Sequence, residues 1–459
     1  MFTDNPVRPE NYQRFEREIP AWFSDAKLGI FVHWGPYSVP AWAEPIGELG
    51  TIEKQHWFKH NPYAEWYFNT IRVEGSPAAA HQRDAFGGAP YDDFIDRWQA
   101  EDFDPTDVID LVKRTGAGYF IPTTKHHDGV TLWEAPGTDG RNTVARGPKR
   151  DLIGAFAEAT REAGLRFGVY YSGGLDWHFS ELPPITADNQ AFRRPVDAAY
   201  AEYAYAHVAD LLERYRPDIL WGDIEWPDAG KPSGPFSMER LFEQFYAQTP
   251  DGVANDRWGE THWDFRTSEY QNGLSVEGDG GWENCRGVGY SFGHNTREDE
   301  THLLDGPAAV KHFVDIVSRG GNFLLNVGLT AAGTVPELQR RTLEHLGAWN
   351  AVNGHTVFAS RPLDAAIAAP SPADASPWVR WTRTGGAAGS HGAAGAYAHA
   401  FIDATGEVSI DGVSPAVIAS SAVLADGAPI AVTRIGTTLH LTLPAPAIDG
   451  PTLVTFPLA

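Results

Sequence analysis

The sequence predicts a (β/α)8-like barrel followed by a smaller all-β sandwich, and three observations lead to this fold class. Apolar strand-like runs alternate with helix-length amphipathic segments from about residue 29 to residue 352, the order typical of parallel α/β folds. Beyond about residue 360, short alternating segments separated by turns replace the helices, as in a sandwich. The 459 residues exceed one ordinary core, so we expect two domains, 1–360 and 361–459.

Six strands are recognisable in the barrel region, each a short apolar run bounded by turn residues. Their predicted ranges are 29–33, 119–123, 167–172, 218–223, 253–256 and 322–327. A closed barrel needs eight strands. We therefore infer two further strands of irregular sequence, and we infer the closure of the barrel from the fold class.

Helical patterns lie between these strands, and several carry recognisable start signals. The predicted ranges are 105–114, 152–164, 197–215, 238–248 and 308–319. The first of them opens directly after Asp104, a typical N-cap residue. The last helix is expected to begin at Thr334, because Thr334 and Glu337 have the spacing of a capping box and Pro336 suits a first turn.

The C-terminal segment reads as all-β. A stretch rich in Pro, Ala, Ser and Gly at 365–377 is expected to be a linker or a domain edge. The alternating segments that follow predict strands at 378–384, 396–402, 408–410, 437–443 and 453–456.

Composition excludes several function classes. There are 36 Lys+Arg against 60 Asp+Glu, a net charge of -24, which argues against nucleic acid and membrane surfaces as partners. The first 20 residues are polar and charged, which predicts a cytoplasmic protein. A single cysteine, Cys285, permits neither an intrachain disulfide nor a cysteine-based zinc site. Homo-oligomer formation stays open.

The most informative stretch ends a predicted strand in a carboxylate. Residues 219–221 read as a buried strand that runs into Asp223, with Trp221 and Trp226 on either side. Catalytic groups of parallel barrels sit at the C-terminal ends of strands. A carboxylate among indoles at such a point suits glycoside chemistry, in which it attacks or stabilises the anomeric carbon. The alternative is that Asp223 caps the next helix.

Imidazoles occupy two further strand ends. His33 ends the first strand, and His126 and His127 follow the second. A metal site is one interpretation, but no His-x-His or His-Glu-x-x-His spacing occurs, and adjacent residues on a strand point to opposite sides. We therefore expect no metal and no cofactor. Hydrogen bonds to sugar hydroxyls fit better, and a role in loop capping is the third interpretation.

A glycosidase also needs a proton donor for the leaving oxygen. Glu269 and Glu283 both follow Asp223 in the chain, and each is flanked by aromatic residues that would desolvate it and raise its pKa. The residue types alone do not choose between them. A carboxylate at Glu65, a phenol at Tyr171 and a guanidinium at Arg257 add to the polar groups expected around one pocket.

Taken together, these segments resemble the α-L-fucosidases of glycoside hydrolase family 29 over roughly residues 10–355. The ordered set is specific, whereas any single piece is not. The residues that carry the resemblance are 29–42, 65–67 (Glu-Trp-Tyr), 125–129 (Lys-His-His-Asp-Gly), 150–151, 170–172 (Tyr-Tyr-Ser), 220–223 (Leu-Trp-Gly-Asp), 282–283 (Trp-Glu), 291–293 (Ser-Phe-Gly) and 320–326 (Gly-Gly-Asn-Phe-Leu-Leu-Asn).

The resemblance implies an exo-acting, retaining, metal-free hydrolase of fucosylated oligosaccharides or glycoconjugates, with Asp223 as nucleophile. It implies that Phe292 forms part of the wall for the C5 methyl group. Similarity to the bacterial branch favours Glu269 over Glu283 as acid/base. A fucose-binding lectin and a metal-dependent barrel hydrolase are the alternative functions. The implied fucose-binding set is His33, Glu65, Trp66, His126, His127, Tyr171, Trp221 and Arg257.

Overall fold

The computed structural model describes residues 7–180, 182–187, 193–270, 281–385 and 396–459. Eight parallel strands form one sheet in the order β5-β4-β3-β2-β1-β8-β7-β6. These strands are β1 (Leu28–His33), β2 (Tyr119–Lys125), β3 (Arg166–Ser172), β4 (Ile219–Asp223), β5 (Val253–Ala254), β6 (Phe265–Glu269), β7 (Gly281–Gly287) and β8 (Asn322–Gly328). The predicted (β/α)8-like barrel is therefore confirmed, including the two strands that the sequence left unassigned, β6 and β7.

The barrel closes between its two edge strands, β5 and β6. A parallel bridge pairs Asn255 with Phe265, and the Asp264 N–H donates to the Ala254 carbonyl at 2.8 Å. The Asp264 carboxylate also accepts from the Ala254 N–H at 2.8 Å. Because β5 is two residues long, this side-chain bond replaces ladder contacts that a longer strand would supply.

Helices surround the barrel. The described ones are α1 (Ala21–Ala26), α2 (Lys54–Trp57), α3 (Tyr67–Thr70), α4 (Pro77–Phe86), α5 (Asp93–Arg97), α6 (Pro105–Arg114), α7 (Leu152–Glu162), α8 (Ala198–Tyr215), α9 (Met238–Gln248), α10 (Gly306–Ser318) and α11 (Glu337–Asn353). Short 3-10 helices lie at Glu10–Phe15, Pro36–Ser38, Ala64–Trp66, Asp228–Gly230, Gly354–Thr356 and Ala419–Ser421. Among the described residues, no helix combines the length and apolarity that crossing a membrane requires.

Two helix starts follow the capping chemistry of the sequence, and a third does not. Asp104 and Asp151 accept backbone N–H bonds at the first turns of α6 and α7. The predicted capping box of the last helix is wrong. α11 begins at Glu337 with Pro336 as its N-cap and no side-chain cap, because the Thr334 N–H instead bonds the Thr330 hydroxyl at 3.2 Å, within a turn.

Two apolar layers pack against the two faces of the barrel sheet. Side chains such as Phe31, Ile121 and Tyr170 fill the interior, whereas the opposite face packs against the helices. Fully buried indoles contribute heavily to this outer layer, which shows where many of the 16 Trp residues lie. They are Trp34, Trp98, Trp133, Trp226, Trp258 and Trp349.

The C-terminal strands form two antiparallel sheets, in the orders β13-β16-β11-β10-β9 and β12-β15-β14. Their apolar faces share a separate core, as a sandwich requires. The strands are β9 (Arg361–Pro362), β10 (Trp378–Thr384), β11 (Tyr397–Asp403), β12 (Gly406–Ile410), β13 (Val423–Leu424), β14 (Val432–Ile435), β15 (Thr438–Leu443) and β16 (Thr452–Pro457).

The larger C-terminal sheet packs against α10 through apolar and ionic contacts. Trp378 and Phe401 join the outer layer of the barrel core. Beside them Arg380 pairs with Asp315 of α10, and their side chains are 8% and 11% exposed. Arg319 bonds the other oxygen of Asp315. A cavity of about 490 Å³ lies beside these groups, and no predicted site residue is among the described residues that line it.

This ion pair yields a stability prediction. Arg380→Ala removes one of two cations from a nearly buried carboxylate, so the free energy of unfolding should fall by about 1–3 kcal/mol. Arg383→Ala, at an exposed position of the same strand, is the matched control and should stay within about 0.5 kcal/mol of the parent. Urea titrations measure both values. Equal losses in the two variants would contradict a specific contribution of the ion pair.

Candidate active site

Two predicted carboxylates lie at the same end of the barrel. Asp223 is the last residue of β4, and Glu269 is the last residue of β6. His33 is the last residue of β1. Because parallel strands all present their C-terminal ends on one face, these side chains meet although 236 positions separate the first from the last along the chain.

The Arg257 guanidinium joins the two carboxylates. Its Nη1 atom lies 3.2 Å from Asp223 Oδ1 and 3.0 Å from Glu269 Oε2. These distances limit the separation of the two oxygens to about 6 Å, which suits retaining glycosidases, whose carboxyl groups lie about 5–5.5 Å apart. The guanidinium is fixed by Nε, which donates to Thr267 Oγ1 at 3.0 Å, and by the Trp221 ring, whose centroid is 4.6 Å from Cζ.

Asp223 is held in its ionised form. Burial is the largest single influence and would raise the pKa of this carboxyl group, but the Arg257 guanidinium and the other neighbours, among them the Tyr170 hydroxyl, together lower it more. Tyr170 donates to Asp223 Oδ2 at 2.8 Å. The net shift of the pKa is downward, as an attacking carboxylate requires at neutral pH.

The alternative role of Asp223 as a helix cap is wrong. After Asp223 the chain turns through Ile224 and Glu225, whose φ angles are 57° and 77°, and no helix starts there. A β-branched residue at positive φ is an outlier typical of functional sites. The N–H groups of Gly173 and Gly174 support the turn by donating to the Asp223 carbonyl at 3.1 and 3.3 Å.

Hydrogen-bond partners fix the tautomers of two neutral imidazoles. Asn326 donates through Nδ2 to the Phe292 carbonyl, so its Oδ1 accepts from His33 Nδ1 at 2.7 Å. The Ser172 hydroxyl donates to the Leu175 carbonyl, so it accepts from His127 Nδ1, also at 2.7 Å. Both rings therefore keep Nε2 as an acceptor, which suits a hydroxyl donor.

Burial keeps these rings uncharged. It lowers the pKa of His33 to about 4 and that of His127 to about 3. The 3.8 Å approach of His127 Nε2 to Asp223 Oδ2 is consequently not an ion pair at neutral pH.

His126 and His127 lie on the same side of the barrel end, contrary to the expectation from strand alternation. Their ring centroids are 4.0 Å apart, because β2 ends at Lys125 and both residues belong to the turn that follows. His126 also stacks on Tyr170 at 5.7 Å, and Trp66 meets the His127 ring edge-on at 5.4 Å. Among the described residues, no group of three His, Cys, Asp or Glu side chains has a metal-binding arrangement.

Glu65 anchors the loop that carries Phe292. Its Oε2 atom accepts from the Gly293 N–H at 2.7 Å and from the Ser291 hydroxyl at 3.1 Å. Burial raises the pKa of Glu65 to about 7, although these two donors oppose the shift. Phe292 then packs on His33, with a centroid distance of 5.0 Å, and forms an apolar wall beside the imidazoles.

The structure does not place Tyr171 with the other predicted residues. Successive residues of β3 face opposite sides of the sheet: Tyr170 belongs to the barrel interior, and Tyr171 belongs to the layer between strands and helices. The Tyr171 hydroxyl contacts His207 at 3.1 Å. The phenol at the site is that of Tyr170, one residue earlier, which corrects the sequence expectation.

Glu283 is also remote from the C-terminal ends of the strands, where the other site residues meet. It is fully buried, and it pairs in register with Asn322, the first residue of β8. Its two oxygens accept from the Trp221 indole N–H at 2.9 Å and from the Tyr119 hydroxyl. Burial raises its pKa to about 7, but a proton donor must also reach the leaving group. The structure therefore favours Glu269, whose side chain is 15% exposed.

Sequence reasoning missed Tyr63, whose hydroxyl donates to Glu269 Oε1 at 2.7 Å. Tyr63 lies two residues before Glu65, in the segment Asn-Pro-Tyr-Ala-Glu-Trp-Tyr of residues 61–67. The aromatic-rich composition of this segment was a signal, but the contact with β6 spans 206 positions and depends on the closed barrel.

Comparison with known proteins agrees with this geometry. The sequence profile of the family described as Alpha-L-fucosidase matches residues 2–355. Alpha-L-fucosidase from Dictyostelium discoideum is 30% identical over 359 residues, 75% of this chain and 73% of that protein. Human tissue alpha-L-fucosidase is 32% identical over 356 residues, 75% of this chain and 70% of that protein.

Solved structures extend the similarity to the C-terminal sheets. A structure described as an alpha-L-fucosidase is 40% identical, with a TM-score of 0.88, and the match covers 99% of this chain and 100% of that one. Thermotoga maritima alpha-fucosidase is 38% identical, with a TM-score of 0.83 over 96% of this chain and 98% of that one. The chain belongs to the α-L-fucosidase family of glycoside hydrolases.

Proposed function

We propose that this α-L-fucosidase removes terminal α-L-fucosyl residues with retention, with Asp223 as nucleophile and Glu269 as acid/base. The observation that carries the proposal is the single Arg257 nitrogen that bonds both carboxylates. This shared contact supports a double displacement, because it keeps the two carboxylates at the separation that such a mechanism needs. The positive charge of Arg257 also lets the nucleophile stay ionised beside a second acid.

In the first step, an Asp223 carboxylate oxygen forms a bond to C1 of the fucosyl residue as the bond from C1 to the glycosidic oxygen breaks. Glu269 transfers its proton to that departing oxygen, so the aglycone leaves as a neutral alcohol. The result is a β-linked fucosyl ester of Asp223 and an ionised Glu269. Before this step Arg257 faces the negative charge of Asp223. After the step it faces the negative charge of Glu269.

In the second step, Glu269 takes a proton from water as the water oxygen bonds to C1 and the bond between C1 and Asp223 breaks. Both carboxyl groups return to their starting protonation states, and the released sugar has the α configuration. Glu225, the nearest alternative attacker in sequence, is paired with Arg194 and Lys231, which supports Asp223 in this role.

The neutral imidazoles support recognition of a sugar with several hydroxyl groups. The Nε2 atoms of His33 and His127 are suited to accept from hydroxyls, whereas Arg257 donates. Phe292 and Trp66 supply apolar surface, and we assign to Phe292 the contact with the C5 methyl group. Structures of Thermotoga maritima alpha-fucosidase in complex with fucose and with a mechanism-based inhibitor support a fucosylated oligosaccharide or glycoconjugate as substrate.

The two alternative functions receive no support. A lectin needs neither the ionised Asp223 nor a second carboxylate across the guanidinium, and the metal interpretation lacks a ligand arrangement among the described residues. We further propose that residues 1–360 form the catalytic domain and that residues 361–459 support it, because all the site residues named here precede residue 360.

Because Tyr170 and not Tyr171 bonds Asp223, removal of the two hydroxyls should affect the pH dependence of catalysis differently. Tyr170→Phe removes a hydrogen bond that lowers the pKa of Asp223, so this pKa should rise. Because Asp223 must be ionised to attack, the acidic limb of the kcat/KM profile should move to higher pH, by up to about one unit. Tyr171→Phe is the matched control and should leave that limb in place. A shift in Tyr171→Phe alone would reverse the assignment.

The acid/base assignment predicts different azide chemistry for two glutamates. Glu269→Ala should lose most activity on fucosides with basic leaving groups, on the order of 10²–10⁴-fold, and less on activated aryl fucosides in the glycosylation step. Azide should then speed the second step, giving α-fucosyl azide with retained configuration. Glu283→Ala should show a loss that does not depend on the leaving group.

Product analysis by NMR decides between the two glutamates. Retained azide product from Glu283→Ala and none from Glu269→Ala would exchange their roles. A β-configured azide from Glu269→Ala would contradict the covalent intermediate.

A further inference from the structure

Tyr63 bonds the carboxyl oxygen of Glu269 that the guanidinium does not bond. Its hydroxyl donates to Oε1 at 2.7 Å, while Arg257 Nη1 bonds Oε2 at 3.0 Å. Each oxygen of Glu269 therefore has a partner, one a phenol and the other a permanent cation. The two partners differ chemically, because a phenol donates or accepts a hydrogen bond and a guanidinium donates alone.

The position of the Tyr63 hydroxyl is fixed by its surroundings. The residue is 7% exposed, and its ring meets Trp57 edge-on at 5.1 Å and Phe292 edge-on at 5.5 Å. Its backbone N–H donates to Asn61 Oδ1 at 2.9 Å. Burial and the neighbouring Glu269 raise the pKa of the phenol well above its ordinary value, so the hydroxyl keeps its proton at the pH of catalysis.

An acid/base residue needs partners for both of its protonation states. Ionised Glu269 accepts from the Tyr63 hydroxyl and from Arg257. Protonated Glu269 can keep Oε1 as the acceptor of the Tyr63 hydroxyl while its hydrogen is on Oε2, and Arg257, which has no acceptor, cannot take that hydrogen from the glycosidic oxygen.

We propose that Tyr63 is a positioning residue for proton transfer, which orients the Glu269 carboxyl group toward the glycosidic oxygen. The inference rests on the proposed role of Glu269. Tyr63 forms no bond to the sugar in this scheme and acts through Glu269 alone. Other titratable groups face Glu269 from neighbouring elements and remain unchanged by a substitution at Tyr63; they are Arg257, Asp223, Glu65, Tyr270 and Cys285.

The test is the leaving-group dependence of Tyr63→Phe, which keeps the ring and removes the hydroxyl. Without the hydroxyl the Glu269 carboxyl group is no longer held in place, so kcat/KM should fall about tenfold on fucosides with basic leaving groups. The loss should be smaller on an activated aryl fucoside, whose phenolate departs without a proton. Tyr270→Phe is the matched control and should show no such difference, because its ring stacks on Tyr63 at 6.3 Å but its hydroxyl bonds the carbonyls of Gly289 and Tyr290.

A double variant separates action through Glu269 from a packing effect. In Glu269→Ala with saturating azide, adding Tyr63→Phe should change the rate less than twofold, because the group on which the phenol acts is gone. A full additional loss there, or an equal loss on both classes of fucoside in Tyr63→Phe alone, would overturn the role of Tyr63 and leave Glu269 as acid/base. Absence of azide rescue in Glu269→Ala itself would instead overturn the proposed function together with the role of Tyr63.

Discussion

The site depends on one buried guanidinium placed between two carboxylates. Two acids this close would not both ionise in a desolvated pocket, because the charge on one raises the pKa of the other. The Arg257 cation, 3.2 Å from Asp223 and 3.0 Å from Glu269, removes that conflict. It allows an ionised nucleophile beside a group that gains and loses a proton during turnover, which is the electrostatic condition for a double displacement.

Arg257 occupies this position because of how the barrel closes. It follows the two-residue strand β5, at the point where Asn255 bridges to Phe265 of β6. Asp256 accepts from the Thr267 N–H and hydroxyl at 3.1 and 2.7 Å, and Thr267 in turn accepts from the guanidinium. The Arg257 carbonyl also accepts from the Glu225 N–H at 2.9 Å. Closure of the barrel and assembly of the site are thus carried by the same few residues.

Apolar periodicity was sufficient to predict most of the barrel and failed where the chemistry is concentrated. Strands β1 to β4 and β8 have apolar runs, and the sequence predicted them within two residues. Strands β6 and β7 are Phe-Arg-Thr-Ser-Glu and Gly-Trp-Glu-Asn-Cys-Arg-Gly, whose polar side chains include groups that face the barrel interior. A strand that carries Glu269 or Glu283 inward cannot also present the alternation by which strands are recognised.

The errors within the site have similarly local causes. Tyr170 and Tyr171 are adjacent and chemically identical, so only the sheet register shows which one faces Asp223. Glu283 has the aromatic neighbours expected of a raised pKa, and its pKa is raised, but its depth in the barrel depends on pairing with β8. Tyr63 reaches Glu269 across 206 positions, a contact that no spacing rule predicts. Residue types were predictable from sequence, whereas their orientation required the closed sheet.

Identification of the residue that becomes covalently linked to the sugar tests the central claim most directly. The native enzyme, inactivated with a 2-deoxy-2-fluoro-α-L-fucosyl fluoride, should gain the mass of one fluorofucosyl group. The 2-fluoro substituent slows both steps, whereas the fluoride leaving group speeds only the first, so the covalent intermediate accumulates. Fragmentation of the labelled peptide should place that mass on Asp223. A label on Glu225, Glu269 or Glu283 would contradict the assignment of the nucleophile and the role given to the Arg257 bridge.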